Sequence, residues 1–329
     1  MLNLKPALVA MDPFVATLMA IVGVATVLPC SGRGAILFEL AANAGIVLLF
    51  FLHGAKLSRA AIVGGMLNWR LHLATLAVTF VLFPILGLIL IRIPGLDPAL
   101  AAGLLYLALL PSTVQSSIAF TAMAGGNVSA AVCAATISNL LGMFITPVLV
   151  AIFMQVPGVR VQVSLDSVKN IALQLLLPFV VGHLLRQWIA AWIGRHKGLV
   201  GVVDRAAILL VVYTAFSAAV VAGLWSQVSV VSLFVMLAIS IVLLSIVMAA
   251  CWAIGRWLDF DREDSIALLF CGSKKSLASG VPIAGTLFPA TQVGLILLPL
   301  IIFHQVQLIA CAMIARGIGR NWMKQSQSK

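Results

Sequence analysis

Apolar stretches of about 20 residues, the length needed to cross the hydrocarbon core of a bilayer, follow one another along nearly the whole 329-residue chain. The connections between them are too short to fold on their own. Hydrophobic residues make up 63% of the chain and charged residues 9%, with a mean hydropathy of +1.18. Soluble domains carry about 25% charged residues. We therefore read an all-α polytopic membrane protein whose first partner is the lipid bilayer, with a single transmembrane domain over residues 1–329. Ten spans are expected, at about 12–28, 35–53, 69–92, 98–123, 127–154, 168–193, 203–223, 228–256, 263–287 and 291–316. Asp12-Pro13 and Asp97-Pro98 pair a capping carboxylate with proline at the first helical position, and Gly125-Gly126 and Pro157-Gly158 mark breaks.

The net charge of +11 would suggest nucleic acid as partner in a soluble chain. Here the basic residues sit in short loops, so the charge reports topology and no nucleic acid is expected. Lys5, Lys56, Arg59, Arg70, Arg186, Arg195, Lys197, Arg205, Arg256, Arg262, Arg316, Arg320, Lys324 and Lys329 fall on one side, against Arg33, Arg92, Arg160 and Lys169 on the other. The positive-inside rule then places both termini in the cytoplasm and the chain in the plasma (inner) membrane, which requires an even number of spans. The connection from Gln155 to about Val168 separates a first repeat (about 12–154) from a second (about 168–316), and five spans per half invert the second copy. Matching interruptions fall at Pro111-Ser112-Thr113 in the fourth span and Gly272-Ser273-Lys274 in the ninth. Paired broken helices in inverted halves are the pattern of a secondary transporter with its site at the midplane.

Two adjacent lysines, Lys274 and Lys275, lie near the middle of the ninth span. A charge at bilayer depth costs roughly 2.5–3.5 kcal/mol on insertion scales, so such residues usually have a function. Successive helical residues point about 100° apart, and both lysines can face one cavity only if the backbone unwinds between them. Gly272, Ser273 and Ser276 favour that unwinding, and Pro111 frees carbonyls in the fourth span beside Ser112, Thr113, Gln115, Ser116 and Ser117. Further polar groups fall within the fifth span (Thr136, Ser138, Asn139) and the tenth (His304, Gln305, Gln307). For each of these alone, hydrogen bonding between helices explains the residue as well as ligand contact does. Eight of the nine acidic residues lie at span ends or in loops, leaving Glu39, one turn into the second helix. A buried cation site would lack a carboxylate, and the lysines point to an anion or to a lysine that gives up its proton when desolvated. The five scattered cysteines have no metal-ligand spacing and read as apolar fillers.

At Phe51-Leu52-His53-Gly54-Ala55-Lys56-Leu57-Ser58, Leu110-Pro111-Ser112-Thr113-Val114-Gln115-Ser116-Ser117, Gly126-Asn127-Val128 and Gly272-Ser273-Lys274-Lys275-Ser276-Leu277, the chain resembles the bile acid:sodium symporter superfamily (solute carrier family 10). It is most similar to the branch of its seventh member, and the resemblance runs through nearly the whole chain. The resemblance implies two inverted five-helix repeats, sorted into a panel domain (spans 1, 2, 6 and 7) and a core domain (spans 3–5 and 8–10). The fourth and ninth helices would unwind and cross, with substrate bound between the domains and exchanged by alternating access. Sodium-coupled members hold their ions with a glutamate and a glutamine in the ninth helix and with hydroxyl or amide groups in the fourth and fifth. Aligned to that pattern, Phe270 stands at the glutamate, Lys274 at the glutamine and Lys275 at the following asparagine, with Ala131 and Ala135 near the hydroxyl ligands.

The function expected is secondary active transport of a small organic anion without a cofactor, with sodium coupling in doubt and a proton carried by His304 as the other coupling ion. The site would comprise Ser112, Thr113, Gln115, Ser116, Ser117, Asn139, Gly272, Ser273, Lys274, Lys275, Ser276, His304 and Gln307, with no metal ligand. Alternatives are a sodium-coupled bile-acid-like symporter and a non-transporting membrane regulator of calcium homeostasis. A hydrolase with Ser273 or Ser276 activated by a lysine is a further one, weakened by the absence of an oxyanion-hole motif.

Overall fold

The structure, a computed structural model, describes residues 13–56, 68–154 and 172–327. The capping Asp12, the Pro157-Gly158 break and the connection between the proposed halves lie outside the described residues. Twelve helices, besides a single turn at Leu224–Gln227, organise the described residues: α1 (Pro13–Val27), α2 (Gly32–Lys56), α3 (Trp69–Leu90), α4 (Pro98–Leu109), α5 (Gln115–Met123) and α6 (Val128–Phe153). Then come α7 (Leu177–Arg195), α8 (Lys197–Val221), α9 (Val230–Trp257), α10 (Arg262–Gly272), α11 (Leu277–Leu287) and α12 (Ala290–Gln327).

Among the described residues, seven helices (α2, α3, α6, α7, α8, α9 and α12) are long and apolar enough to cross a bilayer. Their outer faces carry exposed Leu37, Val148, Leu184, Trp188 and Phe234, side chains that only lipid would solvate well. The fourth and ninth expected spans are each two short helices, α4 with α5 and α10 with α11. Two boundaries differ from expectation. Helix α8 already begins at Lys197 and α12 runs on to Gln327, because charge marks the edge of the hydrocarbon layer, whereas a hydrogen-bonded helix continues past it.

Asp97 caps α4 as its sequence implies, accepting from the amides of Ala99 (2.9 Å) and Leu100 (3.3 Å). Asn127 caps α6, and its side-chain amide donates to Asp264 at the start of α10. Asn68, just before α3, donates to the same carboxylate, so one acid ties three helix ends together.

Two packing groups position the site. Helix α2 lies against α7 and α8, and α1 against α8. Helix α4 packs on α3 and α12, and α10 on α9, α5, α6 and α3. Helix α8 also touches α11 and α12, so the groups meet along it.

Candidate functional site

The two interruptions are held against each other. Ser276 N–H donates to the carbonyl of Pro111 (2.8 Å), joining the breaks by a main-chain bond. Gly142 on α6 lets Pro111 approach: a Cβ there would lie 2.4 Å from the proline ring. Each broken helix leaves its last carbonyls without intrahelical donors, and lipid offers none. At the end of α10 they are met by hydroxyls: Ser273 donates to Leu269, Ser117 to Phe270 and Ser112 to Cys271. At the end of α4, Thr146 donates to Leu109 (2.8 Å), and Lys275 takes the carbonyls of Ala108 and Leu110.

Residues 273–276 are unwound, yet the lysines do not converge. Lys275 Nζ donates to the carbonyls of Thr79 (2.8 Å), Ala108 (2.8 Å) and Leu110 (2.6 Å), with the Phe83 ring 4.1 Å away. Lys274 Nζ turns to the other side, donating to Ser116 Oγ (3.4 Å) over the faces of Phe120 (4.2 Å) and Phe270 (5.7 Å). Both side chains are fully buried. Gln307 fixes the backbone on both sides of Lys275: its Oε1 accepts from Lys275 N–H (2.9 Å) and its Nε2 donates to Lys275 C=O (3.0 Å). The same Nε2 also donates, through its other N–H, to His304 Nδ1 (2.8 Å).

Beside this junction lies a cavity of about 750 Å³. Thr113, Gln115, Ser116, Asn139, Ser276 and His304 line it, whereas Ser112, Ser117, Gly272, Ser273, Lys274, Lys275 and Gln307 stand behind it in the junction. Lys274 reaches the cavity only through Ser116. The amino ends of α5 and α11 both open on the space. No side chain caps α5, so its first amides remain as donors. At α11, Ser276 Oγ accepts from Ser279 N–H, and Ser279 Oγ donates to Asn139 Oδ1 (2.6 Å).

Sequence reasoning did not gather the opposite wall. His53 and Lys56 of α2, Phe179 of α7, Asp204, Arg205 and Ile208 of α8, and Arg316 of α12 complete the lining. Lys56, Arg205 and Arg316 served as topology markers. A signal was available, since Asp204 precedes an apolar run on the side richest in cations, where an acid implies a partner. Lys56 donates to Asp204, linking α2 to α8. Phe14, Leu140, Met143, Leu308 and Ile309 make the remaining surface largely apolar.

A broken-helix pair, capped across its breaks and bordering a polar-floored cavity, is the architecture of a carrier. The family model for SBF-like CPA transporters matches residues 12–320. The chain belongs to the SBF-like CPA transporter family. It is 51% identical to the Pseudomonas aeruginosa protein PA2026 over 311 residues, covering 94% of this chain and 93% of that one. It is 52% identical to YfeH of Escherichia coli K12 over 312 residues, covering 94% and 93%. Sodium/bile acid cotransporter 7 of Rattus norvegicus shares 27% identity over 292 residues, covering 86% and 84%. This member of the family is a multi-pass membrane transport protein, not an enzyme. The hydroxyls of Ser273 and Ser276 are engaged with Leu269 and the start of α11, and the lysine ammoniums lie on other partners. Among the described residues no cluster of His, Cys, Asp or Glu could hold a metal.

Proposed function

We propose that this chain is a secondary active transporter of a small organic anion, working by alternating access as a relative of solute carrier family 10. The observation that carries the reading is the electrostatic character of the cavity. Two helix amino ends, each equivalent to about half a positive charge, face it together with Arg205 and Arg316. Among the described residues the one carboxylate in the lining, Asp204, is paired with Lys56. The apolar wall suits an organic body behind the charged group.

In this reading α1, α2, α7 and α8 form the panel, the other helices form the core, and the halves are inverted repeats. The cavity, bounded by both units, opens at the basic end. With both termini cytoplasmic, that is the inward-facing state. Lys274 and Lys275 occupy the ninth-helix ion-ligand positions of the superfamily and supply positive charge from within the chain, so sodium is not required. The proton is then the coupling ion. Because Lys275 N–H fixes the orientation of the Gln307 amide, His304 Nδ1 must accept from it, and a proton arriving at Nδ1 would release Gln307 from the ring.

The test is a thermal-stability screen of the purified protein against organic anions at several sodium concentrations, followed by uptake into proteoliposomes. One class of anion should raise the melting temperature whatever the sodium concentration. Lys274→Met should weaken that anion about tenfold, or about 1.4 kcal/mol. Arg316→Glu should slow uptake roughly tenfold at low salt and flatten its dependence on ionic strength. If an anion stabilises the protein only together with sodium, the sodium-coupled reading carried by the rat relative's name replaces this one, and if no anion stabilises it the organic-anion reading falls.

A further inference from the structure

The three carbonyls around Lys275 are freed for separate reasons. Helix α3 makes a π-helical turn over Val78–Leu82, where Phe83 N–H bonds to Val78 C=O in place of Thr79. The next residue is Pro84, which has no N–H, so nothing within α3 can donate to Thr79 C=O. The amide that would close the last turn of α4 onto Ala108 belongs to Ser112, and it donates to Ser138 Oγ (3.2 Å). Leu110 is extended and ends the helix. The oxygens belong to α3 and α4, distant in sequence from Lys275, and converge on one fully buried point backed by the Phe83 ring. Three main-chain oxygens and an aromatic face form a cage for a small monovalent cation.

We infer that this cage is a monovalent-cation site which Lys275 fills permanently, so that the protein carries its own cation where α3 and α4 meet the ninth-span break. The inference deepens the reading of the lysines given above, but it concerns the cage alone and stands whether or not the cargo is an organic anion. The site is of main-chain oxygens, not the side-chain ligands that the family resemblance implies. Removing the side chain beyond Cβ vacates the volume of a propylammonium ion with its charge. Lys275→Ala should therefore accept propylammonium and, more weakly, ammonium, sodium or potassium.

The experiment is the melting temperature of purified protein in chloride salts at constant ionic strength, with N-methylglucamine as the inert cation and no organic anion present. The wild type should respond equally to all of them. Lys275→Ala should melt roughly 5–10 °C lower, since it leaves three buried carbonyls without donors. Propylammonium should restore at least half of that loss with saturation, while the uncharged isostere 1-propanol should not. Lys275→Met, which keeps the stem without the charge, should be as destabilised as Lys275→Ala and unresponsive to every cation. Equal rescue by propanol and propylammonium, no rescue by either, or wild-type stability in Lys275→Met overturns the inference. Should the variants fail to fold, the wild-type series still decides. A saturable stabilisation of the native protein by sodium or potassium would mean that its cation cage is not filled from within.

Discussion

Gly182→Leu and Gly54→Leu should each leave no monodisperse protein to purify, and even alanine at either position should lower the yield of folded protein sharply. The reason is a reciprocal contact between α2 and α7. A Cβ on Gly54 would lie 1.9 Å from the carbonyl oxygen of Phe179, and one on Gly182 would lie 2.0 Å from that of Phe51. Both obstacles are backbone, so no side chain can rotate aside and the helices themselves must part. Overpacking a core costs about 1–3 kcal/mol where side chains can adjust, and more where they cannot, against a typical total stability of about 5–15 kcal/mol. In lipid, where close packing is a main force between helices, parting them also removes the contact that holds the pair. Gly34→Ala is the control, because nothing lies within 4 Å of its Cβ position and alanine favours a helix. Size-exclusion profiles and melting curves of the variants decide the matter. A monodisperse Gly182→Ala with the melting temperature of the wild type would mean that α2 and α7 sit further apart.

The second large effect is expected at Gln307, which lies outside the cavity. Gln307→Leu should strip the partners from both the N–H and the C=O of Lys275 in a fully buried setting, and remove the donor to His304 Nδ1. Each orphaned buried group costs about 1–3 kcal/mol, so the loss is roughly 2–6 kcal/mol for the two main-chain groups. Gln307→Glu should not rescue it, because a carboxylate can accept from Lys275 N–H but has no proton to give to Lys275 C=O. Transport should fall with stability in both variants, since Lys275 C=O, released in each, lies in the unwound segment that directs the two lysines. Melting temperature and proteoliposome uptake, measured side by side, check this. A Gln307→Glu variant as stable and active as the wild type would show that the donor half of the clamp is dispensable.

The breaks were legible because proline, glycine and clustered serines in an apolar run leave few alternatives, and both interruptions fall where the sequence places them. The hydroxyls of Ser112, Ser117 and Ser273 read as candidate ligands for a substrate. In the fold they cap the carbonyls at the end of α10, a role that requires knowing which helix end lies beside each. The basic residues of the cavity wall, Lys56, Arg205 and Arg316, read in the sequence as topology markers. Nothing local distinguishes Arg205 and Arg316, which line the cavity, from the other cations of the basic side, since that difference depends on where α8 and α12 run relative to the broken helices.

From the sequence alone come the membrane environment, the succession of apolar helices, the two breaks and the pair of lysines at one of them. These follow from transfer energies and main-chain chemistry, which act residue by residue. Only the tertiary structure decided where the ammonium groups go. In an intact helix the 100° step would fix their directions, but an unwound segment sets no direction, and each lysine turns to the oxygens or rings nearest it. For Lys275 these are carbonyls 196, 167 and 165 residues away, freed by a π turn, a proline and a helix end that the sequence around Lys275 does not contain.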